Sequence, residues 1–306
     1  MTNYTTRLAL LGLTALAPLS AAHAQTFAST VVSYSGLGTN PVYNNPNAVL
    51  GQPTTLINGI YDNPTGTYHA SMVYPAYNQD PQGNDLIDTL GSTGVITVAF
   101  NTPITHSDSH WYGDDFIVFG NTFFPGSGSV TPTTDMTQYK INGNGAIYQN
   151  GTPQISVSAD GINFVTLMPQ TAWFPTNPYK WVGISAANPS GWDDTPGDLN
   201  NFTQPVNPDI SLSTFGGDSV ASADSQLYDG SAGGAAFSLA GTGISSVDFI
   251  RFTGEGNSSV IDAVSRVSDA PMPAAVPEAS SLVSSGLLLA LGLGFVAVRR
   301  SRKSLS

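Results

Sequence analysis

The sequence predicts an all-β protein: a jelly-roll-like antiparallel sandwich flanked by an N-terminal signal peptide and a C-terminal transmembrane helix. Three observations lead there. Between residues 25 and 270, short β-branched and aromatic runs are broken every few positions by Gly, Pro, Asn, Ser or Thr, and none holds a helical apolar period for three turns. Acids in that span are almost all Asp, the turn-former, and not Glu, the helix-former. Each end of the chain carries an apolar segment of the kind that enters a membrane.

At the N-terminus, Arg7 is the one charge ahead of an apolar run from Leu8 to Leu19. Ala22 and Ala24 then place small residues at the third and first positions before Gln25, which sets signal cleavage after Ala24. An uncleaved helix is the alternative, and the run is short for a span.

Residues 25–270 form the exported domain, long enough for one large β domain or two small ones. No cysteine occurs, so no disulfide braces it outside the cell. It holds twenty acids, nineteen of them Asp with Glu255 the exception, against Lys140, Lys180, Arg251 and Arg266. A balance near −16 excludes nucleic acid as a partner, because a phosphate backbone needs clustered bases.

Strands are expected at Thr30–Tyr34, Val95–Phe100, Phe116–Phe119, Gln154–Ala159, Asn163–Leu167, Trp181–Ile184, Val247–Phe252 and Val260–Val267. Asp160-Gly161 marks a tight hairpin, since glycine supplies a positive φ without strain. Residues 170–208, rich in Pro, Asn and Trp, and 215–234, rich in Gly, Ser and Asp, look like inserted loops, where sandwiches often bind ligands. No fixed-period repeat is present, which argues against a propeller.

Calcium is the candidate cofactor. Asp193, Asp194 and Asp198 lie close together beside Asn200, and a Ca²⁺ takes roughly six to eight oxygens. Asp218, after Gly216-Gly217, is a second candidate ligand, and Asp115, ahead of the Phe116 strand, a third. Solvated turn acids are the plainer reading of all of them. His106 and His110 share a face on a strand but stand about 13 Å apart there, too far for one zinc ion. No Gly-x-Ser-x-Gly elbow and no Cys nucleophile occurs, and no pair of carboxyls is singled out for glycoside hydrolysis, so no catalytic residue is assigned. Trp111, Trp173 and Trp192 fall in loop-like stretches and are candidates for stacking on a sugar; the alternative is that they plug the core.

Ser158-Ala159-Asp160-Gly161 followed by Phe164, together with Asp114–Asn121 and Ile261–Val264, resembles discoidin-like, or galactose-binding-like, exported surface domains over about half of the middle region. In that resemblance the acid at Asp115 stands near a calcium.

The last segment, 271–306, contains an uncharged run at 279–298, which as a helix spans about 30 Å, a bilayer's hydrocarbon thickness. Arg299, Arg300, Arg302 and Lys303 follow it and hold that end in the cytoplasm, which leaves the domain outside. Val276-Pro277-Glu278, the apolar run and the basic end resemble the PEP-CTERM sorting signal of Gram-negative bacteria, with Ala279 where that family has a second proline. The resemblance implies cutting by an exosortase-type enzyme near Pro277–Ala279 and a setting of exopolysaccharide and biofilm matrix. An uncut anchor is the alternative.

The expected protein is therefore anchored at the inner membrane before processing, then held at the cell surface or released. Its domain is expected to bind polysaccharide without turnover. A secreted polysaccharide hydrolase and a purely structural matrix protein are the rival readings.

Overall fold

The computed structural model describes residues 26–271, apart from 60–66, 149–150, 171, 194–197 and 256–257. The signal-cleavage residues Ala22, Ala24 and Gln25 lie outside the described residues. So do the sorting motif Val276–Ala279, the 279–298 run, the basic cluster Arg299, Arg300, Arg302 and Lys303, and Asp194. No helix among the described residues is long and apolar enough to cross a membrane.

The chain is built mostly of antiparallel β-sheet. The strands are β1 (Thr30–Leu37), β2 (Leu56–Asn58), β3 (Thr67–His69), β4 (Asp88–Thr105), β5 (Phe116–Phe119), β6 (Gln154–Ser158), β7 (Val165–Thr166), β8 (Ala235–Phe237), β9 (Ser246–Thr253), β10 (Ser259–Ile261) and β11 (Ala263–Arg266). The large sheet runs β1-β4-β9-β6-β7, with β10 also on β4; a three-stranded sheet runs β11-β5-β8; β2 and β3 form a small ribbon. Ile96, Val98, Ile155, Val157, Ile250 and Phe252 of the large sheet meet Phe116, Val118, Phe237 and Val264 of the three-stranded sheet in one buried core. Alternation along β6 and β9 supplies one apolar face each, and that shared face draws the two sheets together.

Two runs pass from one sheet to the other. Residues 260–267 do not form the single strand expected. They break at Asp262, so that Val260 pairs with Thr89 in the large sheet while Val264 pairs with Val118 in the small one. The first strand does the same: Phe27 bridges to Ser265 before Thr30 joins Ala99. Asp262 sits at the first crossing, where its carboxylate accepts from Thr54 N (3.2 Å) and Thr54 Oγ1 (2.9 Å).

The expected strand Trp181–Ile184 does not form. Gly183 has a φ of +106°, which bends the run away from extended pairing, and Trp181 meets only Trp192 in an isolated bridge. The segments read as inserted loops are not loose excursions. Phe174, Tyr179, Trp192, Val206, Phe215, Val220 and Tyr228 from them close on Met72, Phe124, Met136 and Ile141 in a second core. The Asp160-Gly161 turn forms as expected: Gly161 has φ +73°, and the Asp160 carboxylate accepts from Ile162 N and Asn163 N, both at 2.8 Å.

Candidate functional site

The large sheet has two distinct ends. At one end β1 and β9 finish and β4, β6 and β10 begin; at the other lie the Asp160 turn, the end of β4 and the start of β5. Three open clefts cluster at the first end.

One cleft, of about 280 Å³, is lined by Thr39, Asn40, Tyr43, Tyr77, Thr89, Asn121 and Ser258. Its construction is local. Asn40 accepts from Val42 N at 3.1 Å and starts the single turn Pro41–Tyr43, whose proline brings its fixed φ to the first position. That turn sets the Tyr43 ring 5.3 Å from Tyr77 at a 44° tilt. Thr89 Oγ1 ties the turn down by donating to Tyr43 O at 2.7 Å. Gly38 is required here, because a Cβ would lie 2.0 Å from Thr89 Oγ1. Asn121, just beyond β5, is 8 % exposed, and its side-chain amide lines the cleft. The cleft therefore offers rings, hydroxyls and an amide.

A second cleft, about 340 Å³, lies between residues 47–56 and 80–86, with Asp80, Asp85 and Asp262 on its walls. Burial pushes the Asp262 carboxyl up to about 7, against the opposing hydrogen bonds of Thr54. Burial also acts upward on Asp80, but the side chain of Asn84 and the amides of Asn84, Gln82 and Gly83 hold it below the usual carboxylate range.

The third cleft, about 260 Å³, has Ile155, Leu167, Trp173 and Phe237 as its apolar floor and Gln154, Gln170 and Glu255 at its rim.

The opposite end is organised by Asp115, which is completely buried. Its Oδ1 accepts from Ser107 N (3.1 Å) and His110 Nδ1 (2.9 Å), and its Oδ2 from Leu239 N (2.7 Å) and His106 Nδ1 (3.0 Å). The two histidines are thus gathered by a loop onto one carboxylate, an arrangement that strand geometry would have kept apart. Asp115 ties the 105–115 loop to the turn after β8, and its oxygens are taken up by these four donors.

Of the acids proposed for calcium, Asp193 and Asp198 both adjoin Lys180, Asp194 lies outside the described residues, and Asp115 and Asp218 lie in other parts of the fold. Asp198 pairs with Lys180, Asp193 N donates to Lys180 O at 2.7 Å, and Asp218 lies elsewhere, its carbonyl accepting from Ile141 N at 2.9 Å. Among the described residues no three His, Asp or Glu side chains form a group able to hold a metal ion. The three tryptophans also separate. Trp192, at 2 % exposure, is part of the second core, where its ring cannot reach a sugar; Trp111 packs against a small cluster around Phe202 and Val267; Trp173 lines the third cleft.

Tyr43, Asn121 and Asp262 are not singled out as site residues by the sequence. Asn40-Pro41 was the available signal for Tyr43, as a capping residue before proline. Nothing local marks Asn121, whose place in the cleft comes from strands far away in the chain. No protein-family model matches the chain, and no curated protein matches it.

Proposed function

We propose that this is an exported surface protein whose jelly-roll-like sandwich binds a neutral polysaccharide at the Tyr43–Tyr77–Asn121 cleft. The observation that carries the reading is the Tyr43–Tyr77 ring pair set beside the Asn121 amide and the Thr39, Thr89 and Ser258 hydroxyls on the wall of one cleft. Aromatic faces stack on the apolar face of a sugar ring while an amide and hydroxyls meet its hydroxyl groups. No Lys or Arg lines the cleft, and the domain is strongly acidic, so a neutral sugar fits it better than a uronic acid. On this reading the signal-peptide-like start and the PEP-CTERM-like tail hand the domain to an exosortase-type partner, in a setting of matrix polysaccharide.

The test is binding of neutral glucans, galactans and mannans by calorimetry, with release of reducing sugar followed in parallel. Wild type is expected to bind without turnover. Asn121→Ala and Tyr77→Ala should each weaken binding at least about tenfold, the loss of one good polar or stacking contact. Unchanged affinity in both variants would remove the cleft from consideration. Intact mass of the mature protein reports whether residues near Pro277 are cut.

One observation favours the hydrolase as a second reading. Asp262 is pushed up to about 7 and Asp80 is held low, on the walls of one cleft, the divergence that an acid and a base of a glycosidase require. Release of reducing sugar that disappears in Asp262→Asn would support it over the binding reading.

A further inference from the structure

An asparagine followed by glycine can be attacked by its own main chain, because glycine has no Cβ to block the approach of its nitrogen to the asparagine Cγ. The pair occurs at Asn58-Gly59, Asn142-Gly143, Asn144-Gly145 and Asn150-Gly151. Asn150 lies outside the described residues. The fold holds two of the others shut. Asn58 is in β2, paired with Thr67, its Nδ2 donates to Asp80 O at 2.7 Å, and Gly59 is buried. Asn144 Oδ1 accepts from Ala146 N at 3.2 Å, and Gly145 N, the nitrogen that would have to attack, donates to Asn142 O at 2.9 Å. Gly145 is also buried, and a Cβ on it would stand 1.9 Å from Leu212 O, so the backbone there has no room to turn.

Asn142-Gly143 is the open pair. Both residues are exposed, and beyond the chain neighbours of Gly143 no heavy atom lies within 4 Å of where its Cβ would be. They begin a turn closed by the Gly145 N to Asn142 O hydrogen bond, at the surface, where such bonds open locally. We infer that Asn142 is a site of spontaneous deamidation, with water as the co-reactant. Gly143 N gives up its proton to solvent base and forms a bond to Asn142 Cγ. The bond from Cγ to the side-chain nitrogen breaks, and that nitrogen takes a proton from solvent and leaves as ammonia. Water then opens the cyclic imide at either carbonyl, giving aspartate or isoaspartate; nothing is oxidised or reduced. The product lies on a seam. Ile141 N donates to Asp218 O at 2.9 Å, Gly217 N donates to Ile141 O at 3.0 Å, and a Cβ on Gly216 would meet Gly143 O at 2.7 Å. A new carboxylate, and in isoaspartate an extra main-chain methylene, fall beside this contact between residues 141–145 and 215–218. The chemistry is independent of polysaccharide binding.

The experiment incubates the full chain in detergent at mildly alkaline pH, digests it under acidic conditions that halt the reaction, and follows Asn58, Asn142 and Asn144 by fragment mass spectrometry. Isoaspartate is counted separately by enzymatic methyl transfer. Asn142 is expected to convert first in the folded chain, to a mixture of isoaspartate and aspartate. In denaturant the three asparagines should convert at similar rates, since the fold no longer separates them. Gly143→Ala should slow conversion at Asn142 severalfold with the melting temperature unchanged, because the space at that Cβ is open and the φ of Gly143 lies outside the left-handed region. Conversion of Asn142 no faster than that of Asn58 or Asn144 in the folded chain would overturn the proposal. So would the same order and ratio of rates in denaturant, which would put the selectivity in the local sequence and not in the fold. A rate at Asn142 untouched by Gly143→Ala would overturn it as well, because Gly143 N would then not be the attacking group.

Discussion

The side-chain amide of Asn177 donates to the Asp224 carboxylate at 2.6 Å across 47 positions of sequence. The same carboxylate accepts from Asn200 Nδ2 (3.0 Å) and Trp181 N (2.8 Å), so one acid pins three segments of the second core. Burial raises the Asp224 pKa and these three donors oppose the rise. Asp224→Ala strands buried donors and is expected to cost about 3 kcal/mol. Urea unfolding by Trp fluorescence measures it; a loss within about 0.5 kcal/mol would show that the network is not holding this layer.

Asp115 makes a sharper case, because each of its oxygens takes one backbone N–H. In Asp115→Asn, one of those N–H groups must face an NH₂. A histidine can change tautomer to accept from that group, but Ser107 N and Leu239 N cannot. We expect Asp115→Asn to cost about 2–4 kcal/mol, and His106→Ala or His110→Ala alone to cost clearly less. Thermal melts of the three variants give the order; an Asn variant as stable as wild type would contradict it.

Stability should depend on pH with an unusual sign. Asp88 is fully buried, neither of its carboxylate oxygens has a hydrogen-bond partner of good geometry, and burial pushes it up to about 7. The Thr89 amide acts the other way. Asp262 is also raised to about 7, and Asp114 to about 6 by burial and by the negative Asp115. Raised carboxyls bind protons more tightly in the folded state. Their contribution is complete below about 4 and is lost as pH rises through 6 and 7. The melting temperature should therefore fall between pH 5 and 8, by an amount on the order of a few kcal/mol in stability. Asp88→Asn should flatten that fall and gain stability at pH 8. A flat wild-type profile from 5 to 8 would contradict the assignment of these protons.

Much of the β architecture was readable along the chain. Phe116–Phe119 and the Asp160-Gly161 turn fall where expected, since β-branched runs and a glycine with positive φ act within a few residues. Trp181–Ile184 misled, because an aromatic and β-branched run there is turned by Gly183. Residues 170–208 looked like loop because Pro and Asn punctuate them, yet their apolar residues close a core with partners before residue 142. Grouping Trp111, Trp173 and Trp192 by composition could not show that they lie in three different surroundings.

The amino-acid order by itself settled that this is a β-rich chain poor in bases and free of disulfides, because strand patterning, turn chemistry and charge count are local or additive. Only the folded arrangement decided which acids are buried, which side chains line a cleft and which strand lies open at an edge. Desolvation and pairing are set by distant neighbours: Thr54 reaches Asp262 across 208 positions, and Leu239 reaches Asp115 across 124.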